Sequence, residues 1–462
     1  MSGNNNNNTG NIIWFIIGMA GLVIFPGLIV WHMIEFWYAF FLVHIVLTII
    51  IWAVSILGLV YTVFLIIIFL KHVEIKPFKI RKIANAFRVP AVLLLIGGFT
   101  PVAIFAIPTA GQIDTCPHLS YTGDPATSMT VTWYSVNSYA GEVNYGLSPS
   151  NLNLSMIEST AKNEHVLNLT GLSPDTRYYY QVDGFNDIWS FKTANNTLNT
   201  TSFIAFSDLH NLVYKNMFTD IALEDPDFLL VPGDLVDMGG WKYMWDEFFD
   251  DLAPLATNYS MMTAIGNHDM MIDRTRHNYK NYLSMPGEEL YYHFKYNEIN
   301  FICLDLEWGK ETYSKQQQNW LENLLDTISK DEWIVVYDHC MIFSSGGYGN
   351  ATGDITDLYH TLGNLIDTFH PLFVEHDVDL VISGHDHHFE VSNVDDVVYT
   401  IVGTGSTRLD PPHTNNNTDS IYFEAGMSGF TKISINGGTC TVEGNLYQDD
   451  VLQGPFTYSF SE

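Results

Sequence analysis

Apolar residues are arranged in two unlike ways along this 462-residue chain. In the first part they run almost without interruption. Residues 11–70 hold a single acidic residue, Glu35, beside His32 and His44, and residues 89–109 hold no charge at all. Stretches of about 20 apolar residues match the thickness of a bilayer core, and a helix buried in a water-soluble core is seldom uncharged on every face. A cleaved leader has a shorter apolar region, about 7–15 residues. The pattern predicts about three transmembrane helices, at 12–33, 38–70 and 89–109, the second long enough to be two short spans.

From residue 113 the pattern changes. Short alternating runs rich in β-branched and aromatic residues appear at Ser128–Trp133, Gly141–Tyr145, His165–Leu169, Arg177–Val182 and Trp189–Lys192. They predict an all-β sandwich over 113–194, in which His165, opening an alternating strand, is a packing residue. The polar stretch Asn195–Thr201 reads as a linker. Beyond it, apolar strands alternate with helical patterns: Ser202–Phe206, a helix near 213–224, Phe228–Val231, a helix near 241–256 and Met261–Ile265. A hairpin region at Tyr291–Leu306, a helix near 314–329, Trp333–Tyr337, a helix near 356–375 and Leu380–Ser383 complete the series. This alternation predicts a layered α/β domain over 202–462.

Charge orients the apolar part. Residues 71–88 carry Lys71, Lys76, Lys79, Arg81, Lys82 and Arg88 against Glu74 alone. The positive-inside rule makes this a basic cytoplasmic loop and sends everything after residue 110 outside. Residues 113–462 hold 14 Lys and Arg against 49 Asp and Glu, a net charge of −35. Such a surface repels nucleic-acid backbones, so no nucleic-acid partner is expected. Asn-x-Ser/Thr acceptors at Asn153, Asn168, Asn195, Asn199, Asn258, Asn350 and Asn416 agree with an extracytoplasmic glycoprotein. The four cysteines, Cys116, Cys303, Cys340 and Cys440, have no metal-type spacing, and an oxidising compartment would allow a Cys116–Cys440 bridge.

The chemistry lies in five short runs, each following an apolar strand: Ser207-Asp208-Leu209-His210, Gly233-Asp234-Leu235-Val236-Asp237, Gly266-Asn267-His268-Asp269, Asp338-His339 and Gly384-His385-Asp386-His387. Oxygen donors mixed with imidazoles suit Zn, Mn or Fe ions, and ligands in layered α/β folds collect beyond the carboxyl ends of strands. Asp208 and His210, two apart, can face one ion. Asp234 is the natural bridge to a second. His339 and His385 suit the second ion with Asn267, and His387 returns to the first.

These runs resemble the calcineurin-like metallophosphoesterase superfamily, whose pattern is Asp-x-His, Gly-Asp-x-x-Asp/Tyr, Gly-Asn-His-Asp/Glu, a later His, and Gly-His-x-His. The preceding sandwich, with its turn at Gly171-Leu-Ser-Pro-Asp-Thr-Arg-Tyr-Tyr-Tyr180, resembles the fibronectin type III-like amino-terminal domain of purple acid phosphatases. Gly384-His-Asp-His-His-Phe-Glu390 resembles a segment of the same enzymes. Two positions depart from that pattern. Purple acid phosphatases place a metal-binding Tyr where this chain has Asp237, and end the first block in Gly where it has His210. The resemblance therefore implies a His-rich, tyrosinate-free shell. An Asp at position 237 is closer to the protein phosphatase branch, where it orients the catalytic His. That branch follows it with a phosphate-gripping Arg, and here Met238 stands there.

The whole implies a dinuclear centre of two Fe, Mn or Zn ions and attack on phosphorus by a metal-bound hydroxide. His268, unassigned to metal, is the candidate general acid. Asp237 would accept from its other ring nitrogen and raise its pKa, the competing reading being a loop cap. His388 and Glu390 suit roles behind the ligands or at the rim of the substrate site rather than as ligands, and Arg274 or Arg276 could supply the missing phosphate contact, although a solvated loop explains both equally well. The expected fold is an α/β layered metallophosphoesterase sandwich flanked by helices, preceded by an all-β sandwich and an α-helical membrane region. The expected function is a membrane-anchored extracytoplasmic phosphoester hydrolase, held in the lipid bilayer by its N-terminal helices. Its substrate would be a phosphorylated small molecule or lipid headgroup. The alternative is a non-catalytic surface binding or adhesion module that keeps the fold, against which an intact donor set and His268 both argue.

Overall fold

The computed structural model describes residues 115–195, 197, 200–287, 290–305, 314–346, 365–411 and 418–461. The first seven strands are β1 (His118–Ser120), β2 (Ser128–Tyr139), β3 (Glu142–Gly146), β4 (Leu154–Ile157), β5 (Lys162–Thr170), β6 (Arg177–Val182) and β7 (Trp189–Lys192). They form two antiparallel sheets, ordered β1-β2-β5 and β4-β3-β6-β7. Alternation sets which side chains meet between them: His165, Leu167 and Leu169 of β5, and Tyr178, Tyr180 and Val182 of β6, are buried. Tyr178 anchors the preceding turn, its hydroxyl accepting from the Ser173 N–H at 3.0 Å.

His165 sits inside this sandwich, as expected of a packing residue. Its ring stacks on Trp133 at 4.6 Å and lies 2.8 Å from both Ser135 Oγ and Glu158 Oε2. The grouping imitates a serine triad, but a nucleophilic serine must give its hydrogen to the histidine. Ser135 Oγ donates to the Asn137 carbonyl at 2.8 Å instead. The cluster is structural.

The second half contains β8 (Thr201–Ala205), α1 (Met217–Glu224), β9 (Leu229–Pro232), α2 (Lys242–Ala256), β10 (Met261–Ala264), α3 (His277–Tyr282), β11 (Tyr292–Tyr296) and β12 (Ile299–Cys303). There follow α4 (Lys315–Leu325), β13 (Ile334–Tyr337), α5 (Leu365–Glu375), β14 (Leu380–Ser383), β15 (His388–Val394) and β16 (Val397–Val402). Next come β17 (Ser420–Ala425), β18 (Ser428–Asn436), β19 (Thr439–Gln448), β20 (Val451–Leu452) and β21 (Phe456–Ser461). One sheet runs β10-β9-β8-β18-β19-β20, with β21 also on β19, and the other runs β11-β12-β13-β14-β16-β15-β17. Parallel pairing joins β8, β9 and β10 in one sheet and β12, β13, β14 and β16 in the other. Every residue of β9, β10, β13 and β14 is buried, as strands covered on both faces require. Phe203 of β8 stacks on Phe228 and meets Phe301 of β12 edge-on at 5.3 Å, packing one sheet against the other.

The two halves of this unit share one core. His118 stacks on Phe249 of α2 at 4.5 Å, Tyr180 Oη donates to the Thr257 carbonyl at 2.7 Å, and Ser120 Oγ donates to the Ser284 carbonyl at 2.6 Å.

Several expectations are corrected. Among the described residues no helix is long and apolar enough to cross a membrane. The longest, α2, has 15 residues, about 22 Å against the roughly 30 Å of a hydrocarbon core. Multi-pass membrane localisation with an extracytoplasmic catalytic domain is therefore not supported. The stretches on which it rested, residues 12–33, 38–70, 71–88 and 89–109, lie outside the described residues. Cys116 and Cys440 are free thiols rather than a bridge. Glycosylation gains no support: the Asn258 amide already accepts from the Ser190 N–H and donates to Thr257 Oγ1. Of the helix expected near 356–375, residues 365–375 are helical, and 356–364 lie outside the described residues.

Candidate metal centre

Five strands, β8, β9, β10, β13 and β14, deliver the five motif loops to one place. Four key residues there adopt left-handed backbone conformations, with φ of 61° at Asp208, 48° at His210, 51° at Asp234 and 72° at His385. Non-glycine residues rarely do so, and each such conformation costs on the order of 1–3 kcal/mol. It persists because the loops are bonded to one another. The Leu209 and His210 N–H groups both donate to the Asp234 carbonyl, at 2.9 and 3.2 Å. Asp269 spans two loops, accepting from the Val236 N–H at 3.1 Å and the Gly266 N–H at 2.9 Å.

Close approach also demands glycine. A Cβ on Gly384 would fall 2.4 Å from Ser207 Oγ and 2.6 Å from Asp208 Oδ2, and one on Gly266 would fall 2.2 Å from Asp234 Oδ1.

Two donor groups result. In the first, His387 Nε2 lies 3.1 Å from His210 Nε2 and 3.4 Å from Asp208 Oδ1. In the second, Asn267 Oδ1 lies 3.1 Å from His339 Nε2 and 3.0 Å from His385 Nδ1, which are themselves 3.2 Å apart. Asp234 joins them. Its Oδ1 accepts from the His268 N–H at 2.8 Å, and its Oδ2 lies 3.5 Å from His210 Nε2 and 3.3 Å from His339 Nε2. Neighbouring donors on one ion at bond lengths of about 2.1 Å sit roughly 3 Å apart, so each group could hold an ion.

The donors are also in the chemical state a metal needs. His339 Nδ1 donates to the Pro232 carbonyl at 2.9 Å, which leaves Nε2 with its lone pair facing the centre. Burial, reinforced by His268, holds His210 well below its ordinary pKa and keeps the ring neutral. Burial alone would raise the Asp234 carboxyl, but His339, His268 and His210 hold it well below the carboxylate range. The residues present fit two mid-sized transition-metal ions.

His268 and Asp237 stand beside this set. His268 Nδ1 donates to the Asp237 carbonyl at 2.9 Å and lies 3.2 Å from Asp237 Oδ1. A carbonyl can only accept, so the proton lost or gained by the ring is the one on Nε2. Burial works against a charged ring, but Asp234 and then Asp237 outweigh it and raise the His268 pKa. His210, Asp237 and His268 also cluster tightly enough to suggest a third ion. The Arg408 guanidinium argues against that, because its Nη1 already lies 3.1 Å from Asp237 Oδ1.

All the residues singled out in the five runs thus converge. Arg276, by contrast, turns to Asp305 at 3.0 Å, and Arg274 is exposed. Met244, Trp245, Phe248 and Phe249 belong to or pack on the α2 core. Three supports were missed: Arg408, Asp410 and Ser345. The Asp410 N–H donates to the His387 carbonyl at 3.0 Å, and the His387 N–H donates to Asp410 Oδ2 at 3.1 Å. His388 lies 3.3 Å from Glu390 Oε2 and 3.5 Å from Asp410 Oδ2. Burial opposes its charge, but hydrogen bonds to Asp410 and Glu390 push its pKa up to about 9. Glu390 in turn accepts from the Ser345 N–H at 2.9 Å, tying down the loop that carries His339. The available signal was Gly403-Thr-Gly-Ser-Thr-Arg-Leu-Asp410, a glycine-containing loop that follows a strand, as each motif does.

Comparison with known proteins agrees with this geometry. Residues 201–389 match the calcineurin-like phosphoesterase family model, and residues 115–197 match that of the purple acid phosphatase N-terminal domain. A probable purple acid phosphatase of Arabidopsis thaliana is 27% identical over 293 residues, covering 59% of this chain and 65% of that protein. Acid phosphatase type 7 of Homo sapiens is 26% identical over 311 residues, covering 59% of this chain and 69% of its own. The chain thus spans less than two thirds of the Arabidopsis relative's length. The structure of purple acid phosphatase PPD1 from yellow lupin superposes with a TM-score of 0.62 at 19% identity, covering 76% of this chain and 74% of that one, which establishes a shared fold. Residues 201–389 are thus similar to calcineurin-like phosphoesterases, and residues 115–197 to the N-terminal domain of purple acid phosphatases.

Proposed function

We propose that this protein hydrolyses phosphoesters at a two-metal centre, with Asp208, His210, His387 and Asp234 around one ion and Asp234, Asn267, His339 and His385 around the other. The observation that carries the reading is the position of Asp234 Oδ2, within 3.5 Å of a ring nitrogen in each donor group. Paired cations there would lower the pKa of an attacking water and neutralise charge developing on phosphorus. The protein's own groups do the rest. The Asp269 and His385 contacts fix the loops, and Asp237 orients His268 so that its Nε2 can deliver a proton to the leaving oxygen. On this reading residues 113–194 form a supporting β domain and residues 202–462 the catalytic one. The substrate is a phosphorylated small molecule or a lipid headgroup.

The test is metal analysis of the purified protein together with hydrolysis of p-nitrophenyl phosphate and its bis ester. About two equivalents of metal and turnover of at least one ester are expected, both lost on Asp234→Asn. A metal-loaded wild-type protein inert towards both esters would overturn the assignment.

A further inference from the structure

Resting on that reading, we propose that Arg408 grips the phosphoryl oxygens of the substrate, supplying the cation that the position after Asp237 lacks. Met238 occupies that position and is buried, with an exposure of 5%. Of the arginines of the Asn-His-Asp loop, Arg276 is paired with Asp305 rather than with Asp237, and Arg274 is exposed. Arg408 reaches the place from the other side. Its Nη1 lies 3.1 Å from Asp237 Oδ1, the same oxygen that lies 3.2 Å from His268 Nδ1 and 3.6 Å from His210 Nδ1.

Exposure tells which side of the centre faces the incoming ester. The side chains of Asp208, His210, Asp234 and His339 are 0–2% exposed, whereas His268 is 11%, His387 15%, Asp237 21% and Arg408 26% exposed. The open face is therefore edged by the candidate acid, its carboxylate partner and this guanidinium. A guanidinium offers five N–H donors over three nitrogens and can serve more than one acceptor.

The side chain is also mounted on a fixed loop. The Tyr214 N–H donates to the Gly405 carbonyl at 3.0 Å, the Thr407 N–H to the Leu212 carbonyl at 3.0 Å, and the Asp410 N–H to the His387 carbonyl at 3.0 Å. Arg408 thus sits between two anchored neighbours. Preorganisation of this kind lets a charged contact contribute to binding without first being ordered. The need is clear as well. A chain with a net charge of −31 repels a phosphate dianion, and a local cation offsets that repulsion where it matters.

The full chain, loaded with metal, would be prepared as wild type, Arg408→Ala, Arg408→Gln and Arg408→Lys. Steady-state hydrolysis of p-nitrophenyl phosphate, inhibition by inorganic phosphate, calorimetric phosphate binding, metal content and Tm would be measured. Arg408→Ala should raise KM and the phosphate dissociation constant together by roughly 10- to 100-fold, with metal content unchanged. Lys should recover part of the loss. If Ala does not fold, Gln decides, since it keeps length and removes charge. The proposal is overturned if both constants stay within about two-fold of wild type, or if kcat alone falls. A wild-type protein that hydrolyses neither ester sinks the hydrolase reading, while calorimetric phosphate binding still judges Arg408.

Discussion

Asp237 carries more than its position suggests. One of its oxygens lies 3.1 Å from Arg408, 3.2 Å from His268 and 3.6 Å from His210. A carboxylate placed this way holds the His268 ring and the Arg408 fork in register, and an amide of the same shape lacks the charge to do so. Asp237→Asn should lower turnover roughly 10- to 100-fold with metal content intact. The sign of its pH effect follows from His268, whose pKa Asp237 helps to raise. An acid works below its pKa, so losing that support moves the alkaline limb of the rate profile to lower pH. An unchanged rate and profile would reduce Asp237 to a loop cap. The candidate donors were readable because each run places one or two of them just after an apolar strand. Arg408 was not, since it lies 171 positions from Asp237 and meets it only through folding.

At the level of elements, strand alternation was the reliable signal. Residues His165–Leu169 were expected as a strand and lie within β5, Lys162–Thr170. The buried parallel strands were equally plain as unbroken apolar runs. Helix ends were less so: α1 begins at Met217 rather than near 213, because Asp208, His210 and Asn211 carry positive φ and the chain turns tightly before the helix. What no pattern reveals is how closely the loops approach one another. Gly384 illustrates this, with no room for a methyl group between Ser207 and Asp208. Gly384→Ala should displace the loop bearing His385 and His387, and metal analysis should show a large loss of bound ion while circular dichroism stays native. Full metal occupancy in that variant would show the contact to be soft.

At the scale of the whole unit, the sandwich and the layered half are joined partly through His118, fully buried against Phe249. Burial lowers its pKa to about 4, against the ordinary 6.5. Above pH 6.5 the folded and unfolded chains both hold it neutral, and it has no pH effect. Between pH 6.5 and 4 the unfolded chain takes up a proton that the folded one refuses. Stability should therefore fall across that window by up to about 3 kcal/mol and no further from this residue. His118→Phe should flatten the decline of Tm with acid over those pH values. A slope identical to wild type would place the acid sensitivity elsewhere.

The left-handed donors Asp208, His210, Asp234 and His385 have a last consequence at this scale. Their conformation is held by hydrogen bonds to carbonyls and carboxylates of neighbouring loops, so the placement of each candidate ligand depends on residues far from it in the chain. With only imidazole, carboxylate and amide donors, and neither thiolate nor phenolate, such a set discriminates weakly among zinc, manganese and ferrous iron. On the proposed two-metal reading, metal availability would weigh alongside geometry in deciding which of them binds.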